Sequence, residues 1–219
     1  MNSQTKENYL KALYKLADDK GQVNISDLSV ALDVSIPSVN NMVKKLHDAG
    51  WLTYQKYKPL TMTPEGMKRA ASIIRKHRLT EMYLVEKMGF GWDSVHEIAE
   101  QIEHVKSEAF FDKMDELLGY QKFDPHGSPI PDKDGVTLEL NLEHLSDCKP
   151  GQRVVLKALS NSDKQFLQFL SSRSIALGVE FEILNKEPYD NSMTLSYKNH
   201  LKEVLSQKVC GHLLVSHVD

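Results

Sequence analysis

The sequence predicts a mainly α protein with a small β domain: an N-terminal winged helix-turn-helix, a helical middle and a small C-terminal barrel. Three observations carry this. Apolar residues recur at helical spacing from Tyr9 to Leu46, a short strand-turn-strand pattern follows Gly50, and strand-like runs return only after Gly151. At 219 residues, 41% hydrophobic and 26% charged, the composition is that of an ordinary globular chain with two or three small domains.

Tyr9, Leu10, Leu13, Tyr14, Leu16 and Ala17 predict a first helix, closed by Gly21. Ser26 is the predicted cap of a second, whose Leu28, Ala31 and Leu32 face inward. After Asp33-Val34, Ser35 caps a third that carries Val39, Met42, Val43 and Leu46. Trp51 to Tyr54 and Leu60 to Thr63 read as the strands of a wing, and Thr63-Pro64-Glu65 opens a new helix with a cap, a first-turn proline and an acidic first turn.

The third helix presents Ser35, Pro37, Ser38, Asn40, Asn41, Lys44 and Lys45, with Lys56 and Lys58 on the wing. Hydroxyl and amide groups reach base edges, lysines neutralise phosphates, and Pro37 suits a thymine methyl, so double-stranded DNA is the expected partner. Helix-turn-helix scaffolds also serve protein contacts, and polar residues cover any exposed helix.

In the middle, His77 and Glu81 lie one helical turn apart, and His96, Glu100, Glu103 and His104 share a face of a second predicted helix from His96 to Val105. The plain reading of such residues is a solvated face. Imidazoles converging with carboxylates instead suit a divalent first-row ion such as manganese, iron or zinc. Charge divides accordingly: residues 1 to 76 hold 12 Lys+Arg against 7 Asp+Glu (+5), residues 77 to 150 hold 7 against 16 (−9), and the remainder comes to +1.

No apolar run is long enough to span a membrane and the N-terminus has no signal-peptide pattern, so the cytoplasm is expected, with no membrane partner. Cys148 and Cys210 are isolated and read as structural. There is no HExxH motif, phosphate loop or nucleophile elbow. A metalloenzyme therefore explains the ligands alone, and neither catalytic residues nor a small organic substrate is assigned. A winged-helix regulator with merely structural or pH-sensing histidines is a further alternative.

After Gly151, Val154 to Leu156, Phe181 to Leu184, Met193 to Tyr197 and His212 to Val215 read as barrel strands, interrupted by a helix with Phe166, Leu167, Phe169 and Leu170 on its apolar face.

Glu7-Asn8-Tyr9-Leu10, Ile25-Ser26-Asp27-Leu28, Ser38 to Leu46, Leu60 to Gly66, His77-Arg78-Leu79-Thr80-Glu81, Val95 to Val105 and Asp124 to Pro131 together resemble the metal-dependent repressors typified by the diphtheria toxin repressor and the manganese transport regulator. The resemblance implies a DNA-binding domain over 1–70, a helical metal-binding and dimerisation domain over 71–135, a linker over 136–150 and an SH3-like domain over 151–219. It implies a homodimeric repressor of metal uptake and homeostasis that binds palindromic operators when loaded with Mn(II), or alternatively Fe(II). Glu100, Glu103 and His104 fall on the family's primary metal site, and His77, Glu81 and His96 on its ancillary site. Asn8 stands where the family has methionine or aspartate, and Lys11 where the short manganese regulators have glutamate. Asp124 and His126 are candidates to join the ancillary site, against a plain reading as an Asx turn and a surface histidine. Asp163 and Gln165 are what the SH3-like domain offers it.

Overall fold

The structure, a computed structural model, describes residues 3–18 and 20–218. They form two units: residues 1–80, 99–120 and 130–137, and residues 81–98, 121–129 and 138–219.

In the first unit, α1 (Ser3–Leu16) buries Tyr9, Leu10 and Leu13, the positions that its helical spacing places on one face. Two short helices follow, α2 (Ile25–Ala31) and α3 (Ile36–Asp48). Asp33 turns the chain between them in the left-handed region, at φ 51°. Ser35 is the N-cap of α3 as expected, whereas α2 starts two residues early: Asn24 is its N-cap and Ser26 lies inside the first turn. Leu28, Val39, Met42, Val43 and Leu46 share one core with Tyr9 and Leu13, so α1 and the recognition helix α3 move as one packed body.

The wing has three strands, β1 (Gln22–Val23), β2 (Leu52–Thr53) and β3 (Leu60–Met62), in the order β1-β3-β2 and antiparallel throughout. β1 escapes a pattern search because two residues carry no periodicity. From Pro64 the long helix α4 (Pro64–Glu86) begins; Thr63 Oγ1 accepts from Gly66 N–H at 3.1 Å. Gly66 is required here, since a Cβ would meet the Trp51 carbonyl oxygen at 1.9 Å.

α5 (His96–Ile102) is shorter than expected: Glu103 and His104 lie in the turn that follows, although Glu103 N–H still bonds Ala99 O at 2.9 Å. α6 (Glu108–Leu117) is capped by Ser107 Oγ, and its buried Asp115 accepts from Arg75 Nη2 at 2.5 Å.

The second unit is built on a six-stranded antiparallel sheet: β4 (Glu143–His144), β5 (Arg153–Leu159), β6 (Glu180–Lys186), β7 (Met193–Tyr197), β8 (His200–Leu205) and β9 (Leu213–His217), in the order β4-β9-β5-β6-β7-β8. Alternation puts Val154, Leu156, Phe181, Ile183, Leu195, Tyr197, Leu213 and Val215 into one core, where α7 (Lys164–Ser172) adds Leu167 and Leu170. Two strands went unread. β4 lies inside the segment read as linker and pairs with β9, and β8 is an edge strand whose Leu201 and Val204 stay exposed beside its lysine and glutamate.

Candidate metal centre

The first unit gathers one set of ligand-type groups. Glu103, whose side chain is 0% exposed, receives Lys11 Nζ on Oε1 at 2.7 Å and His77 Nδ1 on Oε2 at 2.6 Å. Lys11 also pairs with Glu100 Oε1. His104 bonds Glu7 Oε2 through Nδ1 at 2.6 Å and turns Nε2 to within 3.7 Å of Glu103 Oε1. A carboxylate only accepts, so Nδ1 carries a proton and Nε2 is the ring atom that faces Glu103, the orientation of a metal-ligating imidazole held by an outer carboxylate.

On α1, Asn8 Oδ1 is buried without a hydrogen-bond partner. An orphaned carbonyl oxygen of this kind costs about 1–3 kcal/mol unless something binds it. Asn8, Lys11 and Glu100 line one cavity of about 410 Å³. An oxygen donor that lacks a partner, two carboxylates and an imidazole nitrogen fit a divalent ion that takes mixed O/N ligands.

The second unit gathers Glu81, Asp124 and His126, all buried, with ligand atoms within 4.8 Å of one another. Their loop is shaped from within. Asp124 Oδ1 accepts from His126 and Ser128 N–H at 2.8 and 2.9 Å, an Asx turn, as its plain reading had it. His126 is 3% exposed, however, and so is no surface histidine. Gly127, at φ 84°, lies where a Cβ would meet Lys157 O at 2.2 Å, and Leu159 N–H bonds His126 O at 2.9 Å, so the β5 backbone fixes the loop. His126 Nε2 donates to Trp92 O at 3.0 Å, which directs Nδ1 to Glu81 Oε2, 3.7 Å away. Burial works against a charged His126 ring, but the bond to Glu81 and the charges of Glu81 and Asp124 outweigh it and raise its pKa. His96 Nδ1 also meets Glu81, at 3.1 Å from Oε1.

His77, grouped with Glu81 and His96 by resemblance, bonds Glu103 through Nδ1, and Glu81 has His96, Asp124 and His126 as partners. Asp163 is the N-cap of α7, accepting from Gln165 and Phe166 N–H at 3.0 and 3.2 Å, and stands outside the Glu81 group. Glu7 and the Trp92 carbonyl went unassigned. Nothing local marks them, because their partners lie 97 and 34 residues away.

Of the DNA-contact candidates, Ser35, Pro37, Ser38, Asn41, Lys44, Lys45, Lys56 and Lys58 are exposed and Asn40 is half-buried. Asn40, Lys44, Lys56 and Lys58 line a groove of about 590 Å³ together with Tyr57, which the sequence reading passed over. Tyr57, 91% exposed at φ 65°, forms the wing tip, with Lys56 Nζ 4.8 Å from its ring centroid.

A winged helix-turn-helix whose first helix lines one cavity with Glu100 and, through Lys11, meets the buried carboxylate of Glu103 is the architecture of a metal-dependent transcriptional repressor. Comparison with known proteins makes this particular. The iron dependent repressor N-terminal DNA binding domain matches residues 1–60, the iron dependent repressor metal binding and dimerisation domain matches 63–132, and the FeoA domain, an SH3-like fold, matches 143–217. The diphtheria toxin repressor of Corynebacterium efficiens is 31% identical over 194 residues, 84% of each chain. The HTH-type transcriptional regulator MntR of Lysinibacillus sphaericus is 33% identical over 125 residues, 57% of this chain and 89% of its own length. A solved manganese-dependent transcriptional repressor in complex with manganese superposes with a TM-score of 0.88 at 26% identity, over 97% of this chain and 100% of the other. The chain belongs to the iron-dependent repressor family of metal-dependent transcriptional repressors, which includes the diphtheria toxin repressor. No helix of the described residues is long and apolar enough to cross a membrane.

Proposed function

We propose that this chain is a manganese(II)-loaded cytoplasmic repressor of metal uptake that binds a palindromic operator as a homodimer and catalyses no reaction. Glu100, Glu103, His104 and Asn8 would hold the ion, with Glu81, His96, Asp124 and His126 as a second set. His77 would support Glu103. The observation that carries this reading is the buried, partnerless Asn8 Oδ1 on α1. When bound, the ion supplies a divalent charge that satisfies this oxygen together with the carboxylates.

The chain's own residues do the rest. Asn8 sits one residue from Tyr9, which packs in the same core as Val39, Met42, Val43 and Leu46 of α3. Restraining Asn8 toward Glu100 and Glu103 therefore restrains the recognition helix, and in a dimer it restrains the separation of two such helices. A ligand shifts this equilibrium only by its differential affinity for the two arrangements. Loss of a donor should then abolish activation and spare the fold.

The oxygen-rich donor set favours the harder ions, which supports manganese and leaves iron(II) as the second reading. The solved relative described as complexed with manganese supports the first. The test is fluorescence anisotropy of a palindromic promoter fragment with purified protein, metal-free and then with buffered Mn(II), Fe(II) or Zn(II). Binding should appear with Mn(II), and Glu103→Ala should lose it. Equal binding without metal would overturn the reading, and appearance with Fe(II) alone would reassign the ion.

A further inference from the structure

Lys11 is 6% exposed, and its ammonium group bonds Oε1 of both Glu100 and Glu103. Few lysines are buried to this degree without a charge to meet, and this one meets two. It projects from α1 one turn after Asn8, so it lines the same cavity as Asn8 and Glu100. Glu103, fully buried, has its other oxygen on His77. Without Lys11, two carboxylates three residues apart in sequence would face each other with their charge uncompensated on the Lys11 side.

We propose that Lys11 is the tethered countercation of the metal-free site, and that a divalent ion binds there by displacing its ammonium group from Glu100 and Glu103. This rests on the function proposed above. The same oxygen lone pairs cannot hold a close ammonium and a metal ion at once, and a divalent ion beside an ammonium suffers direct charge repulsion. Lys11 then has two effects on the chain. It holds the carboxylates in place when metal is scarce, and it raises the concentration of metal at which Asn8 is drawn in. The residue sets the threshold of the sensor without being a ligand.

Displacement is read directly by acetylation of lysines with an N-hydroxysuccinimide ester, followed by mass spectrometry. The full chain carries His126→Ala, so that bound Mn(II) reports on the Glu100 and Glu103 site, and exposed Lys58 serves as the reference. Lys11 should be protected in the metal-free protein and modified severalfold faster at Mn(II) saturation. In parallel, Lys11→Met should bind Mn(II) about tenfold tighter or more, as measured by calorimetry, with a lower melting temperature when metal-free. Lys11→Arg, which keeps the charge, should stay near the wild-type affinity.

Electron paramagnetic resonance counts bound Mn(II) in the same samples. Manganese bound with Lys11 still protected, or Lys11→Met with unchanged or weaker affinity, overturns the displacement and leaves the proposed function standing. No manganese bound at all overturns both. The labelling arm needs no Lys11 substitution, so it decides the matter even where Lys11→Met does not fold.

Discussion

His104 donates Nδ1–H to Glu7 Oε2 at 2.6 Å, across 97 residues of sequence. This bond orients the ring and leaves Nε2 facing Glu103. Glu7→Ala should lower metal affinity about 10- to 100-fold, the usual cost of losing such an outer carboxylate, with an unchanged circular dichroism spectrum. Glu7→Gln keeps an accepting oxygen and should fall between Ala and wild type. A manganese titration of the three proteins checks the order, and equal affinities would remove Glu7 from the site.

Gly127 tests the second cluster. Its φ of 84° and the 2.2 Å that separates a would-be Cβ from Lys157 O leave no room for a side chain. Gly127→Val should cost about 2–4 kcal/mol in urea unfolding, since strain and a backbone clash act together. It should also move His126 away from Glu81. Wild-type stability in this variant would show that the loop stands off β5.

The wing lysines should act through phosphates alone. Lys56→Ala and Lys58→Ala should each lower the slope of log K against log salt by about 1, uniformly across operator sequences, with metal affinity unaffected. Anisotropy at several salt concentrations measures this. A sequence-dependent loss would instead place the residue on a base edge.

Burial pushes the Cys148 thiol up to about 12, helped by Glu143 and Asp147, and burial pushes Cys210 up to about 12 as well. Both thiols are protonated and shielded at neutral pH, so a disulfide reagent at pH 8 should label neither until denaturant releases both. The ordinary thiol value is 9.0, so between there and about 12 the unfolded chain has lost protons that the folded chain keeps. The stabilisation is complete below pH 9 and declines as pH rises toward 12. Urea midpoints that stay flat across that window would contradict the burial of these groups.

The architecture was legible wherever periodicity ran long enough. α1, α3, the start of α4 and the core strands of the barrel all follow from apolar spacing and capping residues. β1 and β4 are two residues each and β8 is an exposed edge, so none of them leaves the alternation of a half-buried strand. The ligand types were equally legible, but the hydrogen-bond partner of each was not. His77 and Glu81 are neighbours in any helix, yet the ring of one meets Glu103 and the carboxylate of the other meets His126, which only the packed chain decides. Lys11 was read as a departure from the short manganese regulators; its double ion pair depends on residues some ninety positions away.

The second unit is woven from residues 81–98, 121–129 and 138–219, so its boundary is not a single point on the gene. A chain cut near residue 140 still encodes Glu81, Asp124 and His126, but it loses the Lys157 and Leu159 backbone against which their loop is moulded. The barrel therefore cannot be unplugged as a cassette: trimming this protein to the size of its shorter relatives would leave the letters of the Glu81 cluster in the sequence and erase the mould that spells it.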